Sequence, residues 1–176
     1  VDLIESFASH LVPQRSDRYA FVTLHRKEFT DSAELMQTVF ATLRNIAFEF
    51  DAVVFPLHPR TRDAMKRYGI PMSVLSGIEV VMPMDPLSAL RAEKYADVII
   101  TDSGCIQEEA YLFGVPCVTV RENTERPETL LHGANIVSGF DSGAITRAIR
   151  MQRSRGRLGL PLVYGTPGVA ERIVDV

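Results

Sequence analysis

The sequence holds little that several classes of function require. Among 176 residues there are 2 cysteines and 4 histidines. Cys105 falls in a turn and Cys117 in an apolar run, with no second pair and no histidine cluster to complete a metal site, so neither a disulfide scaffold nor a zinc site is expected. No base accompanies Cys105, which argues against a nucleophilic role. Neither sign of charge dominates, and the net charge of −3 disfavours a general nucleic-acid binder. No apolar run approaches the roughly 20 residues that cross a bilayer. The arrangement of basic, apolar and small-residue zones that marks a signal peptide is missing too, so a soluble cytoplasmic protein that meets no membrane is expected. Repeats and low-complexity tracts are likewise missing.

What is present is ordinary globular composition, 46% hydrophobic and 23% charged, in a length that suits one well-filled core spanning 1–176. Six short β-prone runs stand at 19–24, 52–57, 78–82, 96–100, 116–120 and 135–137. Helical spacing occupies most of the intervals. Leu35, Met36, Val39, Phe40, Leu43 and Ile46 follow i, i+3, i+4 periodicity behind Asp31, a candidate cap. Further helices are expected at 61–68, 86–95, 106–113 and 142–153, with helical spacing also at 1–11 and 169–174 and a loop at 158–167. Gly114 ends the 106–113 helix and Pro127 starts a short one. Alternating strands and helices imply βαβ units with right-handed crossovers, hence an α/β fold with one mostly parallel sheet. The basic series Arg147, Arg150, Arg153, Arg155 and Arg157 is most simply a solvated helix face.

Polar groups concentrate where strands end. The stretch Thr101-Asp-Ser-Gly-Cys-Ile-Gln-Glu-Glu109 joins a buried strand to a helix. Such a junction leaves unpaired N–H groups and the positive end of a helix dipole facing outward, Gly104 lets an anion approach, and Ser103 adds a hydroxyl. Glu108 and Glu109 follow one turn on, and a carboxylate there can accept hydrogen bonds from two ribose hydroxyls. Together these suit a nucleotide; the plainer alternative is an N-cap with acidic residues complementing the dipole. Other strand exits carry His25-Arg26-Lys27-Glu28, His58-Pro59-Arg60 and Arg121 to Glu128. In an open parallel sheet His25, His58, Ser103 and Arg126 would line one edge, where the crevice lies.

His25-Arg26-Lys27-Glu28, Pro56-Leu57-His58, Thr101-Asp-Ser-Gly104, Gln107-Glu-Glu109 and Thr124-Glu-Arg-Pro-Glu128 resemble, in order and spacing, the C-terminal half of UDP-N-acetylglucosamine 2-epimerases. The likeness covers nearly the whole chain, from Val1-Asp-Leu-Ile4 to Tyr164-Gly165. It implies a Rossmann-like domain of about six parallel strands, one half of a GT-B-type two-domain fold, holding UDP. By resemblance Ser103, Gly104 and the Cys105 backbone hold the diphosphate, Glu109 the ribose, and Arg126 adds positive charge. His25, Arg26 and Glu28 face the reacting sugar, and His58 matches a histidine linked to binding UDP-sugar. The implied reaction interconverts UDP-GlcNAc and UDP-ManNAc without metal or cofactor. The implied partners are an N-terminal domain carrying acidic proton-transfer groups and a second copy of the full-length protein, a homodimer.

Three departures bear on specificity. Cys105 stands where the family usually has glycine, Phe29 where it has asparagine, and Pro86 and Ala89 lie in a segment where it has aromatics. Losing a ring that stacks on a base removes typically about 1–3 kcal/mol. Two other functions fit the same nucleotide site: the donor domain of a GT-B glycosyltransferase and a catalytically silent UDP-sugar-binding module.

Overall fold

The computed structural model describes residue 15, residues 17–165 and residue 168; the helical spacing at 1–11 and 169–174 lies outside the described residues. Six strands, β1 (Tyr19–Thr23), β2 (Ala52–Pro56), β3 (Glu79–Val81), β4 (Val98–Thr101), β5 (Cys117–Thr119) and β6 (Asn135–Val137), form one sheet in the order β3-β2-β1-β4-β5-β6. Every pairing is parallel. The chain begins mid-sheet, steps outward to β3, then returns to the other side of β1. The direction of winding therefore reverses between β1 and β4, and a crevice opens at the carboxyl ends of such a strand pair.

Side-chain alternation along β1 explains both layers. Ala20 and Val22 join one core cluster; Tyr19 and Phe21 join the other, as the period of two requires. On the first face the sheet packs against α1 (Lys27–Thr30), α2 (Ala33–Ile46), α3 (Pro59–Arg67) and α7 (Ser142–Arg155), through Phe29, Phe40, Met65 and Ile149 among others. On the second it meets α4 (Pro86–Lys94) and α5 (Gly104–Phe113), through Ala92, Ile106 and Ala110. A short α6 (Pro127–Leu131) precedes β6. Phe21, Phe29, Phe40 and Phe55 are each fully buried, and each such ring contributes about 1.5–3 kcal/mol of transfer free energy.

Some boundaries differ from the sequence expectations. Asp31 does not cap α2: the helix starts one residue later and Ser32 accepts from the Leu35 amide at 3.2 Å. Asp31 instead closes α1 and faces Arg67 at 3.8 Å. Asp85, preceding Pro86, caps α4 by accepting from the Leu87 and Ser88 amides at 3.1 Å. The basic series is solvent-exposed at Arg147, Arg150, Arg155 and Arg157, as expected of a solvated face, and only Arg153 is partly covered; four of the five also reach surface partners. Arg150 pairs with Glu49 at 2.6 Å, Arg153 lies over the Phe50 ring, and Arg155 and Arg157 donate to the carbonyls of Gly133 and Phe113. These arginines tie α7 and the following loop to their neighbours. No helix among the described residues is long and apolar enough to cross a membrane.

Candidate functional site

The crevice is built around Asp102, which sequence reasoning quoted in a motif but gave no role. It follows β4 and is fully buried. Its Oδ2 accepts from the backbone amides of both His25 and Arg26 at 2.7 Å, so one carboxylate holds the exits of β1 and β4 together. Oδ1 stands 3.5 Å from His25 Nδ1 and has no hydrogen bond of ordinary length. That approach favours a proton on Nδ1 and leaves Nε2 as the acceptor. Burial pushes the Asp102 carboxyl up to about 6, against the two amide hydrogen bonds that lower it, so the anion predominates at neutral pH.

His25 stacks on His58, ring centroids 4.6 Å apart and 25° between planes. His58 is the N-cap of α3, and its Nδ1 accepts from the Arg60 amide at 3.1 Å. Burial, then Arg26 and Arg60, hold the His25 imidazole below its usual range; burial, then His25 and Arg60, do the same for His58. Both rings are therefore neutral bases at pH 7.

Beside them lies the N-terminus of α5. Ser103 occupies the N-cap position, yet its side chain makes no capping hydrogen bond. The plainer alternative, in which this serine only closes the helix end, therefore does not describe its hydroxyl. A Cβ on Gly104 would lie 3.9 Å from Nη2 of Arg26 and 3.9 Å from Nη2 of Arg126. Two guanidinium groups, one from the β1 exit and one from the β5 exit, thus converge on the buried first residue of the helix. Carboxylates share the space: Glu125 Oε2 is 3.7 Å from the same point, and Glu108 pairs with Arg126. Glu125 also pairs with Arg121 at 3.3 Å, a partner towards which it can withdraw. Cys105 is exposed in the first turn of α5 and Cys117 is buried in β5, and both are free thiols.

The Arg121–Arg126 loop is held by a buried polar network. Thr124 donates to Gln107 Oε1 at 2.5 Å, Asn135 Nδ2 donates to Gln107 Oε1 and Thr129 Oγ1 at 3.1 Å, and Thr119 bonds Asn135 at 2.9 Å. Farther along, Tyr164 donates to Glu128 at 2.7 Å. Glu28 does not point freely into the crevice; it pairs with the nearly buried Arg121 at 3.2 Å. Glu109 is half-buried, and its carboxyl meets that of Glu93 from α4. Glu93, missed from sequence, is 2% exposed; its i+3 spacing from Leu90 was the available signal, because it puts an acid on the buried face of α4. Between α4, α5 and the histidine pair lies a cavity of about 180 Å³ lined by His25, His58, Met84, Ala89, Glu93 and Ile106. Larger grooves of about 430 and 470 Å³ flank α3, but neither adjoins the α5 N-terminus. Among the described residues eight buried polar side-chain atoms lack a hydrogen bond, and two of them, Glu93 Oε2 and Asp102 Oδ1, belong to residues that line or adjoin this crevice.

A family model described as UDP-N-acetylglucosamine 2-epimerase matches residues 2–176. The chain belongs to this family. A UDP-N-acetylglucosamine 2-epimerase from Methanococcus maripaludis is 38% identical over 158 residues, 88% of this chain and 43% of that protein. A UDP-2,3-diacetamido-2,3-dideoxy-D-glucuronate 2-epimerase from Pseudomonas aeruginosa is 33% identical over 159 residues, 90% of this chain and 44% of that protein. The crystal structure of the Methanocaldococcus jannaschii UDP-GlcNAc 2-epimerase in complex with UDP-GlcNAc and UDP superposes with a TM-score of 0.83 at 33% identity, over 99% of this chain and 48% of that one. The chain thus spans somewhat less than half the length of the curated relatives it matches. Its sheet and helices form one half of a GT-B-type fold.

Proposed function

We propose that this domain holds the UDP of a UDP-2-acetamido sugar and forms one wall of the active site of a C2 epimerase. The observation that carries this is the convergence of Arg26 and Arg126 on Gly104 at the start of α5. Backbone amides, the Ser103 hydroxyl and two guanidiniums are fixed donors for a diphosphate. Glu109, one turn further, accepts from the ribose hydroxyls, and the base enters the cavity beside Ala89 and Ile106. The sugar then extends towards His25, whose neutral ring lines the crevice.

In this reading the C2 proton of UDP-GlcNAc is removed and the C1–O bond to UDP breaks. UDP leaves with the electron pair, and a C1=C2 double bond gives the glycal. Re-addition of UDP at C1 with protonation of the other face of C2 gives UDP-ManNAc. This domain's part is to stabilise charge on the departing diphosphate and to place the sugar beside His25. The groups that move the C2 proton lie on a second domain across the cleft. The nature of the 3- and 5-substituents is set there too, so a diacetamido uronate fits the nucleotide half equally well.

Calorimetry with two ligands tests the placement. Ser103→Ala and Arg126→Ala should each weaken UDP about 10- to 100-fold, the loss expected for one hydrogen bond to a charged group, while leaving uridine unaffected. Equal losses for UDP and uridine would remove the diphosphate from the α5 N-terminus.

A further inference from the structure

The mechanism above leaves Glu93 without a task, although an acid sealed inside a helix interface is costly. Glu93 belongs to α4, is 2% exposed, lines the cavity proposed for the base, and its Oε2 meets no N–H or O–H donor. Within hydrogen-bonding reach of its carboxyl is another carboxyl, that of Glu109 on α5. Two carboxyls can bond to one another only with a proton between them. Burial decides which one carries it. Glu93 is the more deeply enclosed. Burial first, and Glu109 second, drive the Glu93 carboxyl far above the carboxylate range. Burial raises Glu109 too, but it is the less enclosed of the two and the bond from Glu93 works against that rise. Its remaining acidic neighbour, Glu108, is neutralised by Arg126.

We propose that Glu93 is a positioning residue: as a neutral carboxylic acid it donates to Glu109, fixing that side chain and keeping it a carboxylate able to accept both ribose hydroxyls. This rests on the assignment of the ribose to Glu109. Glu93 touches no hydroxyl itself. It occupies one oxygen of Glu109 from below, so the other lone pairs face the crevice in a single rotamer. It also keeps the pair at one negative charge, where two ionised acids this close would repel and turn Glu109 away.

The test uses the 176-residue chain and two nucleotides, UDP and 2′,3′-dideoxy-UDP, with calorimetry at pH 7. Glu93→Leu fills the space without donating; Glu93→Gln donates from its amide at nearly the same volume. Glu93→Leu should weaken UDP about tenfold, the size of one coupled hydrogen bond, and leave dideoxy-UDP within about twofold. Glu93→Gln should restore UDP to within about threefold of the parent. In a Glu109→Ala background Glu93→Leu should add nothing. An infrared carboxylic-acid C=O band at pH 7 that disappears in Glu93→Gln would report the proton independently of binding. Loss of both nucleotides alike in Glu93→Leu, a Gln variant as weak as the Leu variant, or the lack of that band would overturn the proposal. The underlying assignment fails separately: a Glu109→Ala variant that loses UDP and dideoxy-UDP equally overturns the ribose site, and the role of Glu93 with it. A Glu109→Ala variant that discriminates, beside a Glu93→Leu variant that does not, overturns the role of Glu93 alone.

Discussion

At the scale of single residues, Asp102 links the fold to the site. Its Oδ2 satisfies two backbone amides and its Oδ1 faces His25. Asp102→Ala leaves two buried donors unpaired, each costing about 1–3 kcal/mol, so thermal unfolding should fall by roughly 4–24 °C at about 2–4 °C per kcal/mol. Asp102→Asn keeps one acceptor and should lose less. An Asp102→Ala protein as stable as the parent would dismiss the carboxylate as a tie between β1 and β4. The histidine pair gives a second prediction, with a definite sign. His25 and His58 sit below 6.5 in the folded protein, so the unfolded chain binds more protons. Their contribution is present above pH 6.5 and lost as pH falls through the folded values. Asp102 runs oppositely: raised to about 6, it contributes stability below its unfolded value of 3.8 that is lost as pH rises through 6. The clean observable is therefore a difference. The stability of the parent relative to a His25→Gln, His58→Gln variant should shrink between pH 7 and 5; a difference independent of pH contradicts the burial of two neutral rings.

Among the elements, α5 carries most of the argument, and its two terminal glycines have separable duties. Gly104 has an ordinary helical entry, and an added Cβ would find nothing closer than 3.7 Å. Gly104→Ala should therefore fold normally, with up to about 1 kcal/mol gained from backbone entropy, and bind UDP more weakly because the methyl fills the space offered to the anion. Gly114 ends the helix at φ 64°, and a Cβ there would collide with the Leu158 carbonyl. Gly114→Ala should lose at least about 1–2 kcal/mol and leave UDP affinity intact. Thermal melts and calorimetry on both variants check this; exchanged effects would mean that the anion does not approach α5. Much of this was legible in advance, because helix ends and buried strands leave local marks. Gly114, Pro127 and the apolar runs announced α5, α6 and all six strands. The cap at Ser32 was not legible, since Asp31 and Ser32 are both good capping residues and only the path out of α1 chooses between them. Asp102, Glu93, and the pairing of Glu28 with Arg121 were hidden for a different reason: each is defined by a partner from a distant element. The exposure of the basic series was legible, but its surface partners, Glu49 and the Gly133 carbonyl, were not, because they are far away in sequence.

For the whole molecule, this chain is one half of a GT-B-type fold. The sheet is covered on both faces by buried clusters, so the 176-residue chain should unfold in one cooperative transition. It should nevertheless show no epimerisation of UDP-GlcNAc. With one wall of the cleft, water stays at the diphosphate and the C2 proton has no base held against it. Incubation in deuterated water checks this, and deuterium at C2 above the enzyme-free control would put the proton-transfer groups within this domain. The central claim, that the nucleotide lies across the start of α5, is tested most directly by mapping amide chemical-shift changes as UDP is titrated into the isotopically labelled chain. The largest changes are expected at 103–109, at 124–126 and at His25 and Arg26, with smaller ones along Met84 to Glu93. Changes confined to the charged cleft beside α3, at Lys27, Arg60 and Arg67, or no saturable change anywhere, would contradict it.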